Sequence, residues 1–367
     1  MCQHYNLLPL SKVKGYLHKN VLDLPADRIR IEDWRPLLET LQSDQGLQKI
    51  AIRSAHRGQA VVEFAGTKEK AARTRKCPVI FTAYVLHKLI ASMVKCLSIN
   101  NNLIHLELQG IPLTFKYLDA LLEGISKCKT LKFLSFIDIP FGDDGTGRVC
   151  RVLRHLPNVA SVNFTACGLT PLGMQHIANL IKTQKIKRFV ETWQQSLRYQ
   201  RPNLDSLWGL RQITLNTNPL IGDEGMKILL EGLEDDLWIK GIEMSGCGLG
   251  IGAAKELISF LQNSYAISVI DIRGNKGVPV HLIQHIMLLL AKKTMHYRSE
   301  YQWNSWSSTS HQPMVQSRFL GQTTEKLRNQ QRSRTKELDD SSVPMRGVHT
   351  STIKQKQCCQ AQSKLKS

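Results

Sequence analysis

Residues 103–113 read LIHLELQGIPL and residues 131–141 read LKFLSFIDIPF. Each opens on an apolar residue, repeats it three positions on, and repeats it again two after that: Leu103, Leu106, Leu108, then Leu131, Leu134, Phe136. The triplet returns as Val159, Val162, Phe164; as Leu210, Ile213, Leu215; as Ile239, Ile242, Met244; and as Ile267, Ile270, Ile272. Successive copies start 28, 28, 51, 29 and 28 residues apart. The long interval equals one 28-residue period plus an insertion of 23. A fixed period of this length marks a chain of repeated supersecondary units.

Each copy has a readable layout. The apolar-x-apolar core predicts a short strand whose alternate side chains point inward. Three positions on stands a Cys or Asn in four copies, Cys167, Asn218, Cys247 and Asn275, placed to bond backbone as the chain leaves the strand. An apolar residue two further on (Leu113, Phe141, Leu169, Leu220, Leu249) precedes a helix start marked by Asp143 or Asp144, by Asp223, or by Thr170 before Pro171. Val149, Val152, Leu153 and Leu156 then lie on one helical face, as do Ile177, Leu180 and Ile181. One such unit cannot bury its apolar face alone; stacking on neighbours does so. The expected fold is an α/β solenoid with parallel strands on the concave face and helices on the convex face. Its period, with a full helix per copy, resembles the ribonuclease-inhibitor class of leucine-rich repeats.

The array extends upstream. Leu47, Ile50 and Ile52 stand two periods before Leu103, and Leu22, Leu24 and Ile29 suit a still earlier copy. The copy between them is degenerate, with Pro78 to Ile80 as its expected strand and Phe81 to Leu97 as its helix. The expected solenoid spans 1–303, with irregular insertions near 53–80 and 188–206. Residues 304–367 form an expected disordered basic tail, with eleven Lys or Arg against Glu325, Glu337, Asp339 and Asp340. Tyr301 and Trp303 are placed to cap the last repeat.

The net charge is +19. Such a charge attracts acidic partners or reflects solvated basic segments. Residues 53–76 carry seven Lys or Arg against Glu63 and Glu69, and read first as a mobile loop and second as a docking loop. No apolar run reaches membrane-spanning length, so no membrane insertion is expected. The nine cysteines are scattered and read as reduced thiols of an intracellular protein. Cys358-Cys359 is too closely set for a tetrahedral zinc site. Gly142-Asp-Asp-Gly145 and Gly222-Asp-Glu-Gly225 pair carboxylates, but at equivalent repeat positions where acid suits a helix N-terminus. No phosphate-binding glycine loop, nucleophile elbow or metalloprotease helix is present. No cofactor, metal or catalytic residue is expected, and the chain reads as a non-enzyme.

Two candidate partner-binding regions remain. The outward strand residues, one per copy, are Glu107, Ser135, Asn163, Thr214, Glu243 and Asp271. The insertion mixes aromatic and basic residues, Trp193, Arg198, Tyr199 and Arg201, as interface hot spots do. Their plain structural reading is cover for the solenoid edge. Nucleic acid is the least favoured partner.

Specific residues carry a family resemblance: Glu191-Thr-Trp193, Ser196-Leu-Arg-Tyr199, Arg201-Pro202, Gly209-Leu-Arg211 and Leu220-Ile-Gly-Asp223. Upstream stand Val21-Leu-Asp23, Ala26-Asp-Arg28, Asp33-Trp34 and Pro36-Leu-Leu38; downstream, Asp236-Leu-Trp238 and Ser299-Glu-Tyr-Gln-Trp303. Over roughly residues 10–303 these resemble the family of the centrosomal protein of 78 kDa. The resemblance implies a protein of the cytoplasm and cytoskeleton, at the centrosome, centriole and ciliary basal body. It implies a scaffold in centrosome regulation and cilium assembly that docks protein partners, including a cullin-type ubiquitin ligase adaptor and a centriole-duplication kinase. At 41.6 kDa the chain reads as a short or truncated member. The alternative is a regulatory leucine-rich-repeat adaptor of a ubiquitin ligase or GTPase without centriolar localisation.

Overall fold

A computed structural model describes residues 20–56, 60–74, 77–198, 204, 207–264 and 266–296. These lie in one compact unit, within residues 1–301; a second unit, residues 302–367, holds the expected basic tail and lies outside the described residues. So do Tyr301, Trp303, Cys358 and Cys359.

Eight strands form one parallel sheet in sequence order: β1 (Val21–Pro25), β2 (Lys49–Arg53), β3 (His105–Gln109), β4 (Phe133–Ile137), β5 (Ser161–Asn163), β6 (Gln212–Thr214), β7 (Gly241–Glu243) and β8 (Val269–Asp271). Parallel neighbours need a crossover between them, and each repeat supplies it as a helix. The helices are α1 (Ile31–Ser43), the short α2 (Lys68–Arg73), α3 (Ala83–Ile99), α4 (Phe115–Lys127), α5 (Gly142–Leu153), α6 (Pro171–Leu197), α7 (Gly222–Leu233), α8 (Ile251–Asn263) and α9 (Val280–His296).

The repeat triplets set the register. Ile50, Leu106, Leu134, Val162, Ile213, Ile242 and Ile270 pair in turn across adjacent strands. All but Ile270, which is partly buried, are at most 3% exposed. Each such side chain contributes about 1.5–3 kcal/mol by leaving water. Phe141, the apolar residue before α5, meets Phe136 and Phe164 edge-on at 5.5 and 6.2 Å between ring centroids.

Polar ladders stitch the turns that leave the strands. Asn218 Oδ1 accepts from the backbone N–H groups of Cys167, Gly168 and Leu169, and its Nδ2 donates to Phe164 and Leu215 carbonyls. Asn275 repeats this two copies on, accepting from Cys247 and Leu249. Cys167 and Cys247 each donate Sγ–H to a carbonyl of the preceding copy, Phe136 and Leu215. The small or amide side chain three positions beyond the triplet therefore ties two repeats together.

Three sequence expectations change. The degenerate copy supplies no strand: Val79–Phe81 is a single 3-10 turn, and β2 pairs directly with β3. The turn is held by Val62, whose N–H donates to Phe81 O and whose carbonyl accepts from Ala83. The basic stretch from Arg53 begins in β2 and includes α2. Leu220 is 67% exposed, and the next residue, Ile221, occupies the buried site. Asp143 and Asp223 mark helix starts as expected, standing in the first turns of α5 and α7, though not as caps; Asp143 accepts from Thr170 N and Oγ1, and Asp223 from Gly250 N, so each fastens the following repeat. Thr170, by contrast, does cap α6, accepting from Leu172 N beside Pro171.

Candidate functional site

The repeat lays the central outward strand positions side by side: Asp23, Ala51, Glu107, Ser135, Asn163, Thr214, Glu243, Asp271. The candidates Glu107, Asn163, Thr214, Glu243 and Asp271 are thus one continuous row. Four polar members of the row, Glu107, Ser135, Asn163 and Thr214, are at most 4% exposed, as is the apolar Ala51. Polarity did not reveal that burial. Among the described residues the hydroxyls of Ser135 and Thr214 find no hydrogen-bond partner.

Burial and neighbouring charges shift Glu107 and Glu243, toward opposite ends of the row, in opposite directions. Arg53 Nε lies 2.8 Å from Glu107 Oε1, and its Nη1 lies 2.8 Å from Asp23 Oδ2. Lys49 and His105 stand 3.5 and 3.6 Å from Glu107 Oε2. Burial opposes ionisation of Glu107, but the nearby His105 imidazole, the hydrogen bond from Arg53 and the charges of Arg53 and Lys49 win, and its carboxyl falls to about 2. Burial lowers His105, with Glu107 opposing. At the other end burial raises Glu243 and the charge of Asp271 adds to it, against hydrogen bonds from Asn216 and Gln212 and the charge of Arg273. The Asp23–Arg53–Glu107 network spans residues 30 and 54 apart in sequence, so no local pattern announced it.

The second candidate region is built on α6. Residues 188–197, the first part of the expected irregular insertion, continue that helix. Arg188 is buried and donates to Leu210 O at 3.0 Å and Gln184 Oε1 at 3.1 Å. Gln184 Oε1 also accepts from Leu210 N. The Arg188 guanidinium lies 5.4 Å from the Trp238 ring centre, and Phe189 meets the same ring edge-on at 4.9 Å. Burial lowers Arg188 to about 10, with the charge of Asp236 opposing. Trp208 Nε1 donates to Glu191. The returning chain passes so close that a Cβ on Gly209, whose φ is +95°, would lie 2.1 Å from Arg188 Nη2. The inserted helix is thus anchored on its inner face. Outward, Trp193 is 60% exposed and Arg198 is exposed at its C-terminal end. Tyr199 and Arg201 lie outside the described residues.

An apolar cavity of about 360 Å³ lies beside Phe81, Ile111, Leu113, Phe115 and Phe141, with His56 and Asp138 as its titratable lining residues. Among the described residues no group of three His, Cys, Asp or Glu could hold a metal ion, and no helix is long and apolar enough to cross a membrane.

Strand-loop-helix units of 28 residues, an in-register parallel sheet and Asn/Cys ladders define a leucine-rich-repeat solenoid, here with one repeat helix drawn out by an insertion. No family model matches the chain. Its sequence is 35% identical over 306 residues to the mouse centrosomal protein of 78 kDa, covering 83% of this chain and 39% of that protein. It is 36% identical over 303 residues to the human protein, covering 83% and 44%, and 33% identical over 289 residues to the Drosophila melanogaster Cep78 homolog, covering 78% and 35%. The chain belongs to the family of the centrosomal protein of 78 kDa. It spans less than half the length of these curated relatives. Among solved structures it is similar to the Rad7–Elc1 complex of yeast, at TM-score 0.35 and 12% identity, covering 70% of this chain and 63% of that one. It is also similar to the tropomodulin C-terminal domain of Caenorhabditis elegans, at TM-score 0.28 and 9% identity, covering 57% and 95%.

Proposed function

We propose that this chain is a non-enzymatic centrosomal scaffold that docks partner proteins, with a role at the centriole and basal body in cilium assembly. The observation that carries the reading is the likeness to the relatives named centrosomal, which covers 83% of this chain for the mouse and human proteins. Two features support docking. At the ends of the outward row Asp23, Glu243 and Asp271 keep polar side chains partly in water, and repeat proteins use such extended faces to bind other macromolecules. The inserted helix holds large apolar side chains in water, where a monomer gains nothing from them. The cullin-type ligase adaptor and the centriole-duplication kinase implied by the resemblance belong to the same proposal.

The test is localisation of the full chain fused to a fluorescent protein in ciliated cells, beside a centriole marker. A focus at centrioles and basal bodies is expected. Diffuse cytoplasmic signal at near-endogenous expression contradicts the proposal and leaves the ligase- or GTPase-adaptor reading in its place.

A further inference from the structure

The distal half of α6 carries an apolar row that the fold leaves in water. Ile186, Val190, Trp193 and Leu197 are 62, 50, 60 and 57% exposed. They stand four, three and four residues apart. At 3.6 residues per turn this spacing confines them to a strip about 60° wide and about 16 Å long. Opposite the strip lie Gln184 and Arg188, fixed to the returning chain. The helix cannot rotate the strip inward without breaking that anchor.

The spacing is that of a two-helix seam, with Ile186 and Trp193 at one core position of the heptad and Val190 and Leu197 at the other. The positions flanking such a seam choose the partner. Here they are Lys182, Lys187, Phe189, Gln194 and Ser196. Phe189 is spent on Trp238, so both charged flanks are lysines. Glu191, the one acid on this half of the helix, lies outside the flanks and accepts from Trp208. The strip is also narrower than the 100° or more of apolar arc typical of a helix face laid on a core.

We propose that Ile186, Val190, Trp193 and Leu197 are a docking seam for one amphipathic helix of a partner protein, whose own seam is flanked by Asp or Glu. A second copy of this chain would set Lys182 and Lys187 against the same lysines. A lipid surface would call for a broader apolar arc. The inference rests on the docking role proposed above and names the chemistry of one partner.

Purified full chain is titrated with two designed helices of about 28 residues, sharing a leucine seam. One carries Glu at every flanking position and the other Lys. The Glu helix is expected to bind at least about tenfold more tightly at low salt. Val190→Asp with Leu197→Asp is expected to abolish binding and leave the circular dichroism spectrum unchanged, because both side chains are exposed. Lys182→Glu with Lys187→Glu is expected to reverse the preference between the helices. Absent binding of the Glu helix, equal affinity for both, or a preference indifferent to the lysine swap overturns the proposal. So does anionic-vesicle binding lost in the Val190/Leu197 variant while neither helix binds, or a dimer in sedimentation that the same variant dissolves. A chain that reaches the centriole but ignores the Glu helix loses only the seam; one that discriminates the helices but stays diffuse loses only the location.

Discussion

Asn218 holds two repeats together with a fully buried amide, and Asn218→Ala removes it. Three backbone N–H groups, of Cys167, Gly168 and Leu169, lose their acceptor at 3.0–3.2 Å, and the carbonyls of Phe164 and Leu215 lose a donor at 2.7–2.8 Å. A buried polar group left without a partner costs about 1–3 kcal/mol. Partial relaxation of five such groups brings the expected loss to roughly 4 kcal/mol, a large part of the ~5–15 kcal/mol that holds a domain folded. Hydrogen exchange is the suitable assay, since repeat arrays open in parts. Amides of residues 167–169 should exchange about a thousandfold faster, at a factor of ten per 1.4 kcal/mol. Asn218→Asp, which keeps the acceptors and loses the donors, should fall between the variant and the parent. Protection within threefold of the parent in Asn218→Ala would refute the ladder as a source of stability.

Gly209→Ala forces a Cβ to 2.1 Å from Arg188 Nη2 at a φ of +95° and should cost about 2–4 kcal/mol, read as a lower thermal midpoint and earlier proteolytic cleavage near Arg198. Glu107, depressed from 4.5 to about 2, stabilises the fold above its unfolded pKa, and that stability is lost as pH falls through about 2. Glu107→Gln should therefore cost roughly 3 kcal/mol at pH 7 in chemical denaturation and flatten the acid limb between about pH 4.5 and 2. Glu243→Gln should have the opposite sign, neutral to stabilising at pH 7, because burial and Asp271 raise that carboxyl in the fold. Thiol labelling at pH 8, mapped by mass spectrometry, should reach Cys77 in the native chain. Cys96, Cys150 and Cys247, which burial pushes up to about 11, 12 and 12, should stay unlabelled until unfolding.

The strands were legible because each triplet alternates in a period that no helix shares, and register follows once the triplets are aligned. Val79 and Ile80 misled for a known reason: a short apolar run does not declare its own backbone conformation. The turn through Phe81 is decided by hydrogen bonds with Val62, which sequence does not show. Trp193 and Arg198 stood out by residue type, and type alone pointed to an irregular segment. The four-three-four spacing of Ile186, Val190, Trp193 and Leu197 was also present; it is a helical signal that the irregular reading of 188–206 passed over. The outward row could be placed by alternation. What alternation cannot report is that Ser135 and Thr214 are buried within it, or that Arg53 reaches Glu107, 54 positions away in sequence.

The central claim is one apolar spine running unbroken past the insertion between β5 and β6. Backbone nuclear Overhauser contacts in a perdeuterated chain test it directly. The account predicts cross-strand contacts that pair Val162 with Ile213 and Asn163 with Thr214 in parallel register. Contacts that place β6 beside any strand other than β5 and β7, or a shifted pairing that turns Ile213 outward, would contradict it.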